Sequence, residues 1–299
     1  MKNKLRHIIQ TTATVFFNGY AAGFMKGKIF RGKTKAICVP VLNCYSCPGA
    51  LGACPIGALQ AVLGDRDSHF SFYVLGTIML FGIILGRAIC GFLCPFGFIQ
   101  ELIYKIKTPK IRIPKKIDRP LRYLKYVVFT VLVVLLPLFL TNKYGMGSPY
   151  YCKWLCPAGT LEGGLPLVLM NEPLKKTIGF LFSWKVGILI VILMLSNLIY
   201  RPFCKYLCPL GAFYGLFNRI SFIQLKVNRD KCVGCGLCEK TCKMNVPVLQ
   251  DINSVECIRC GECKAACPKQ AIELKKLSRS VSQSNIALTD ERQMTATEN

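Results

Sequence analysis

The 299-residue sequence predicts a mainly α protein: a polytopic four-helix transmembrane domain with internal duplication, followed by a small C-terminal α+β unit. Three observations predict this. Four apolar stretches have the length of bilayer spans, a cysteine-bearing segment is repeated, and two compact cysteine arrays lie near the end of the chain. Hydrophobic residues make up 52% of the sequence, which favours a bilayer protein with a modest polar appendage over two soluble domains.

A hydrocarbon core of ~30 Å takes roughly 20 helical residues, and stretches 8–25, 70–89, 121–141 and 177–199 answer to that length. The first is the weakest, because it holds Gln10, three threonines and Asn18. Between Lys105 and Lys125 lie nine positive residues, which the positive-inside rule keeps on the cytoplasmic side. The chain then begins inside and places residues 26–69 outside. It returns before Cys90, leaves after Lys125 and is inside again before Cys204. Lys26, Lys28, Arg31, Lys33 and Lys35 run against this layout. If the first stretch lies in the interface instead of spanning, the N-terminal cysteines move to the cytoplasmic side. The basic start has no small-residue cleavage site after it and reads as an uncleaved membrane segment. The expected division is a transmembrane domain over 1–225, a compact polar domain over 226–275 and a disordered tail, rich in Ser, Thr and Gln, over 276–299.

Lys and Arg outnumber Asp and Glu by 39 to 15. The basic residues flank apolar runs, as anionic headgroups favour, so lipid and not nucleic acid is the expected partner. The 18 cysteines fall in CxxC and CxxxCP arrays. Secreted disulfide scaffolds are short and have no spanning helices, so reduced, metal-ligating thiolates are expected.

Cys232-Val-Gly-Cys235-Gly-Leu-Cys238 followed by Cys242, and Cys257-Ile-Arg-Cys260-Gly-Glu-Cys263 followed by Cys267-Pro268, have the spacing of a bacterial-type 2[4Fe-4S] ferredoxin domain. Three cysteines of each array hold one cube, and the fourth ligand comes from the other array. Cys232, Cys235, Cys238 and Cys267 therefore form one site, and Cys257, Cys260, Cys263 and Cys242 the second. Zinc knuckles would need four thiolates in one local loop. Gly234, Gly236 and Gly261 let the backbone wrap closely. Lys243, where a proline is usual, is either a potential-raising charge or a solvated one.

RAICGFLCPFGFIQELIYKI from Arg87 aligns without gaps with RPFCKYLCPLGAFYGLFNRI from Arg201, and the CPxG core recurs at Cys54 and Cys156. Each CxxxCP motif supplies two ligands where a cube needs four, so two motifs must meet. Proline suits the first helical position, which puts the preceding cysteine at the positive end of a helix, where an anionic cluster is favoured. Cys90, Cys94, Cys204 and Cys208 share the inner face and are expected to hold a third cluster. On the outer face Cys152 and Cys156 would meet Cys54 and one of Cys44 and Cys47 in a fourth. The irregular array Cys38, Cys44, Cys47, Cys54 also allows a cluster closed by itself, with Cys152 and Cys156 as a redox dithiol or metal site.

Other residues read as structural. His7 and His69 fall on opposite faces, which argues against haem; His69 beside Asp65 and Asp67 reads as a capping or solvated loop residue, with proton transfer to a quinone the alternative. Tyr150, Tyr151 and Trp154 read as an interfacial belt. The sequence has no GxGxxG or Walker A pattern, so no nucleotide site is expected.

Four spanning segments, paired CxxxCP motifs after the second and fourth, and a C-terminal two-cluster domain together resemble the NapH family of ferredoxin-type membrane proteins, over most of the chain. NosR and CcoG proteins share similar modules. The resemblance implies passage of electrons from membrane quinol toward redox partners through Cys90, Cys94, Cys204, Cys208 and the eight ferredoxin cysteines. The Cys38–Cys54 segment and the pair Cys152 and Cys156 go beyond that pattern.

The expected function is that of a membrane-bound iron-sulfur electron-transfer protein. It would relay electrons between a soluble partner on the cytoplasmic side and the membrane quinone pool or a partner reductase, as a subunit and not a complete enzyme. It would sit in the cell membrane with its C-terminal domain cytoplasmic. The alternatives are an electron-delivering maturation factor or metal reductase for a membrane redox enzyme, and a redox sensor.

Overall fold

The computed structural model describes residues 3–65, 71–140 and 146–274. His69 and the tail from residue 275 lie outside the described residues.

Four helical segments run between two cysteine-rich ends. Helix α1 (Asn3–Phe17) starts where Arg6 pairs with Glu101 and Glu262. It ends where Asn43 Nδ2 donates to the Phe17 carbonyl at 3.3 Å. It is followed by α2 (Ala21–Lys26) and α3 (Pro55–Gly64). The return is α4 (Phe72–Leu85), with the Tyr73 hydroxyl accepting from the Cys38 amide at one end and the Leu85 carbonyl accepting from Arg259 at the other. Two short helices, α5 (Ala88–Phe92) and α6 (Pro95–Tyr104), then fold back into the body.

The third long segment is one 25-residue helix, Lys115–Phe139. It is α7 (Lys115–Val128), a π-helical stretch Phe129–Leu135 and α8 (Leu136–Phe139). Pro137 cannot donate to the carbonyl four residues back, and the wider π turn absorbs that lost bond. Helix α9 (Tyr150–Trp154) precedes α10 (Pro157–Gly159), which runs through the π turn Thr160–Gly164 into α11 (Leu165–Met170). After α12 (Glu172–Lys176), the fourth long segment is α13 (Phe180–Leu198), followed by α14 (Pro202–Tyr206) and α15 (Pro209–Leu216).

Among the described residues two helices, Lys115–Phe139 and Phe180–Leu198, are long and apolar enough to cross a membrane. Helices α1 and α4 fall short of the length expected for a span. Helix α4 has 14 residues, about 21 Å of rise. Helix α1 is displaced from the expected 8–25. It stops at Phe17 because Asn18 folds back onto the Thr14 carbonyl, and its inner face buries Arg6 and Gln10. Gln10 donates to the Gly91 carbonyl at 2.9 Å, so α1 packs against α5 and α6 through a polar seam. All four of these helical segments leave large apolar side chains exposed, among them Ile8, Phe16, Phe72, Leu80, Val127, Phe139, Val191 and Met194. Exposed apolar surface on this scale marks a lipid or partner contact.

The C-terminal unit is small and α+β. Strands β1 (Leu225–Val227) and β2 (Ile272–Leu274) pair antiparallel, with Leu225 opposite Leu274, around α16 (Leu237–Thr241) and α17 (Glu262–Ala266). It is riveted to the helical body by arginines. Arg259 reaches the Leu85 and Asn218 carbonyls, Arg122 the Met244 carbonyl and Arg112 the Lys240 carbonyl, all between 2.6 and 3.0 Å. Gly91 touches the Ile258 carbonyl so closely that any side chain there would collide with it.

Candidate iron-sulfur sites

All eighteen cysteines are free thiols, and sixteen of them gather in four quartets. In the C-terminal unit Cys232, Cys235, Cys238 and Cys267 line one hollow, and Cys242, Cys257, Cys260 and Cys263 line the other. Each hollow thus draws one thiol from the opposite array. Gly234, Gly236 and Gly261 have φ of 68°, 67° and 80°, the left-handed turns that wrap backbone around such a hollow. Cys235 is exposed, so the first hollow faces outward, whereas Ile258 carries the second against α5. Lys243 donates to Glu262 at 3.0 Å, a partner within the chain.

Cys90, Cys94, Cys204 and Cys208 form a buried quartet beside the C-terminal unit, the inner quartet, mutually within electrostatic reach. At the opposite end Cys44, Cys54, Cys152 and Cys156 line a cavity of about 740 Å³, the outer quartet. Of Cys44 and Cys47, between which the sequence leaves the choice open, Cys44 lines the cavity. Cys47 lies beside it but donates to Asn18 Oδ1 at 3.4 Å, and Cys38 is buried apart from the cavity lining. Ala50 stands four residues before Cys54, where the other CPxG motifs have a cysteine, and the loop thiol of Cys44 supplies the missing member.

Each CPxG cysteine caps the start of a helix whose first residue is proline, at Cys54, Cys94, Cys156 and Cys208. The Gly159 and Gly211 amides donate to the sulfurs of Cys156 and Cys208 at 3.3 and 3.4 Å. The sixth residue after each CPxG cysteine ties the motif to a loop beside it, a role the sequence reading missed. Gln60 Nε2 donates to Cys152 Sγ at 3.3 Å while its Oε1 accepts from the Tyr151 amide at 2.9 Å. Gln100 repeats this with Cys204 Sγ at 3.2 Å and the Phe203 amide at 3.2 Å. Glu162 accepts from the Cys44 amide at 2.8 Å, and Tyr214 donates to the Pro40 carbonyl at 3.0 Å. The signal was present as Gln at the same offset in two of the four CPxG copies.

The quartets fit iron-sulfur cubes. Among the described residues no three His, Cys, Asp or Glu side chains converge on a single metal-ion site. The thiols ring hollows instead, with amide N–H groups turned toward sulfur, as a cube's spread ligands need. Burial pushes the thiols of Cys44, Cys260 and Cys263 up to about 12, so these ligands ionise only against a metal's charge.

Two buried tyrosines connect the inner and outer quartets electrostatically. The helices that begin at the CPxG motifs are short, and Tyr151, fully buried, lies within electrostatic reach of Cys156, Cys152 and Cys54 on one side and Cys208 on the other. Tyr151 is therefore a core residue and not the interfacial residue expected. Tyr214 bridges in the same way, near Cys90 and Cys94 on one side and Cys38 and Cys54 on the other.

Buried charge surrounds the inner quartet. Arg87 and Arg201 are fully buried, with Glu256 and Lys125 beside the first and Glu101 and Arg6 beside the second. Burial opposes ionisation of Glu101 and Glu256, but Arg201 and Arg6 hold the first carboxyl below its usual range, and Arg87 and Lys125 the second. At the outer quartet the buried carboxyl is Glu162, which burial pushes up to about 8 against the Cys44 hydrogen bond.

Comparison with known proteins agrees with this inventory. A 4Fe-4S binding domain model matches residues 52–72, 68–117, 126–165 and 179–229, and two further 4Fe-4S binding domain models match 225–247 and 251–273. The chain is 36% identical over 187 residues to the uncharacterized protein MJ0750 of Methanocaldococcus jannaschii, covering 60% of this chain and 68% of that protein. It is 29% identical to the putative electron transport protein YccM of Escherichia coli, over 58% of this chain and 46% of YccM. It is 27% identical to the regulatory protein NosR of Stutzerimonas stutzeri, over 58% of this chain and 22% of NosR. The chain thus spans less than half of YccM and less than a quarter of NosR. No solved structure matches it. With its four matches spread from residue 52 to residue 229 and two more beyond, the chain belongs to the 4Fe-4S binding domain family of ferredoxin-type proteins to which YccM and NosR are related.

Proposed function

We propose that the chain is a NapH-type membrane protein that delivers electrons from a soluble donor at its C-terminal unit, across the membrane, to a partner at the outer quartet. In this reading the recipient is a redox enzyme being matured, maintained or regulated. The observation that carries it is the unbroken order of quartets, from the exposed Cys235 hollow, through the Ile258–Gly91 contact, to the inner quartet and then past Tyr151 to the outer one. When bound, [4Fe-4S] clusters supply one-electron steps at each quartet.

The residues around the quartets serve that path. Gln60, Gln100 and Glu162 hold the thiol-bearing loops in register, while Tyr151 and Tyr214 fill the space between inner and outer quartets and keep water out. The four crossings act as bilayer spans, the short α1 and α4 included, with residues 1–225 as the membrane domain and 226–275 as the cytoplasmic one. The exposed cations Lys26, Lys28, Arg31, Lys33 and Lys153 at the outer end then form an acidic partner's landing surface rather than a topology signal. The relatives' names, a putative electron transport protein and a regulatory protein, favour delivery to a partner.

The cavity favours a second reading, a quinone as acceptor or donor. At about 740 Å³ it exceeds the hollows of the C-terminal unit, about 20 Å³ each, and Gly, Ala, Leu, Met and Pro line most of it, with Lys185 as its one ammonium among the described residues. Purified chain in sealed vesicles, C-terminal unit outward and reduced by external dithionite, tests both. Delivery predicts reduction of an anionic dye trapped inside, abolished by Cys44→Ser. No trapped-dye reduction in the unaltered protein contradicts delivery. A short-chain naphthoquinone that alters only the outer centre's spectrum supports the second reading.

A further inference from the structure

The first residues of the two internal repeats, Arg87 and Arg201, each stand three positions before the first cysteine of their own motif. Their guanidinium groups cross over. Arg87 donates to the carbonyl of Cys204 at 3.1 Å, and Arg201 donates to the carbonyl of Cys90 at 2.5 Å. Each arginine therefore clamps a ligand of the opposite repeat. Both are buried completely, so water does not screen their charge.

Each also reaches the C-terminal unit. Arg87 bonds the Val255 carbonyl at 2.7 Å and the Glu256 carboxylate at 2.9 Å, next to Cys257. Arg201 bonds Glu101 at 2.6 Å, Glu101 pairs with Arg6, and Arg6 reaches Glu262, next to Cys263. Lys125, also fully buried, bonds the other oxygen of Glu256 at 2.5 Å. Five cations, the buried Arg6, Arg87, Lys125 and Arg201 and the partly exposed Lys243, thus face three carboxylates, Glu101, Glu256 and Glu262, leaving an excess of positive charge in this set.

From this geometry we propose that Arg87 and Arg201 are potential-setting positioning residues. They make the inner quartet the most easily reduced of the two membrane sites and join its potential to docking of the C-terminal unit. The physical reason is charge. A four-thiolate cube carries roughly −2 when oxidised and −3 when reduced, and a nearby buried cation stabilises the second state more than the first. Reduction adds one electron, donated by the neighbouring Cys257 site, which is oxidised by one. Arginine suits the place because its guanidinium stays charged when buried and its fork of N–H donors serves a carbonyl and a carboxylate at once. The outer quartet has Pro149 and Cys47 at the equivalent positions, and among the described residues its cavity lining has no arginine and one lysine, Lys185.

The inference rests on a cluster at the inner quartet, so its test separates the two. Iron and sulfide are counted on anaerobically purified full-length protein, and the centres are titrated by electron paramagnetic resonance against solution potential. Replacing Cys90, Cys94, Cys204 and Cys208 by Ser identifies the inner centre; if no centre is lost, the cluster assignment itself fails. Arg87→Gln and Arg201→Gln are expected to keep the iron count and lower the midpoint of that one centre, with Arg87→Lys largely restoring it. Glu256→Gln, which unmasks Arg87, is expected to move the same midpoint upward. Opposite shifts from Arg87→Gln and Glu256→Gln are a signature that loosened packing does not produce. An unmoved inner midpoint in both variants, at full iron content, overturns the proposal, as does an equal downward shift in both.

Discussion

Arg87 and Arg201 stand three residues before Cys90 and Cys204 at the inner quartet, whereas Pro149 stands three before Cys152 at the outer one. One motif has been used twice in different company. The inner copy is enclosed by helices and the C-terminal unit and threaded by buried ion pairs. The outer copy opens into a cavity, borrows a loop cysteine in place of a motif cysteine, and keeps its nearest buried carboxyl, Glu162, close to neutral. The motif fixes sulfur geometry, and its surroundings set charge and access. In the proposed function the enclosed site passes electrons on and the open site exchanges them with something outside the chain.

Four changes sharpen or break that comparison. The largest effect is expected at Cys44. Cys44→Ser should remove about four irons per chain, while Cys38→Ser and Cys47→Ser remove none, as read by iron and sulfide analysis. Loss from Cys47→Ser and retention in Cys44→Ser would exchange their assignments. Next is Gly91→Val, which overpacks the contact with Ile258 and should weaken docking of the C-terminal unit by about 1–3 kcal/mol. Faster proteolytic release of that unit would report it, with the outer site's spectrum unchanged.

Smaller effects belong to the paired glutamines. Gln100→Leu removes a hydrogen bond to Cys204 Sγ and should lower the inner midpoint alone, and Gln60→Leu should do the same for the outer. Each should cost about 1 kcal/mol of stability in thermal unfolding. A shift of both centres by either change would contradict the pairing. The smallest effect is at the Tyr151 hydroxyl, which is buried without a hydrogen-bond partner among the described residues. Tyr151→Phe should leave iron content and thermal stability unchanged or slightly raised, whereas Tyr151→Ala opens the space between quartets and should slow the outer site's reduction in stopped-flow traces.

Much of this was legible in the sequence because cysteine spacing is a local signal. The array exchange, with Cys242 and Cys267 crossing over, follows from ferredoxin spacing, and the inner quartet follows from the gapless repeat. The outer quartet was legible only in part: the sequence left both Cys44 and Cys47 open, whereas Cys44 lines the cavity with its amide held by Glu162 and Cys47 donates to Asn18. Helix α1 is displaced from the expected 8–25 because Gln10, inside that stretch, and Arg6, just before it, are buried on one polar seam. Spans measure bilayer thickness, and nothing in them shows that the short helices after each CxxxCP fold back far enough to bring one tyrosine within electrostatic reach of both sites. The crossed arginines were visible as matched repeat positions, but the crossing itself is a property of tertiary packing.

The most direct test of the central claim, four quartets in line with one bridging the repeated halves, is iron and acid-labile sulfide per chain in anaerobically purified protein. The account predicts about sixteen irons, falling to about twelve when Cys90, Cys94, Cys204 and Cys208 become Ser and to about twelve when Cys44 does. About eight irons, unchanged in both variants, would confine clusters to the C-terminal unit and contradict it.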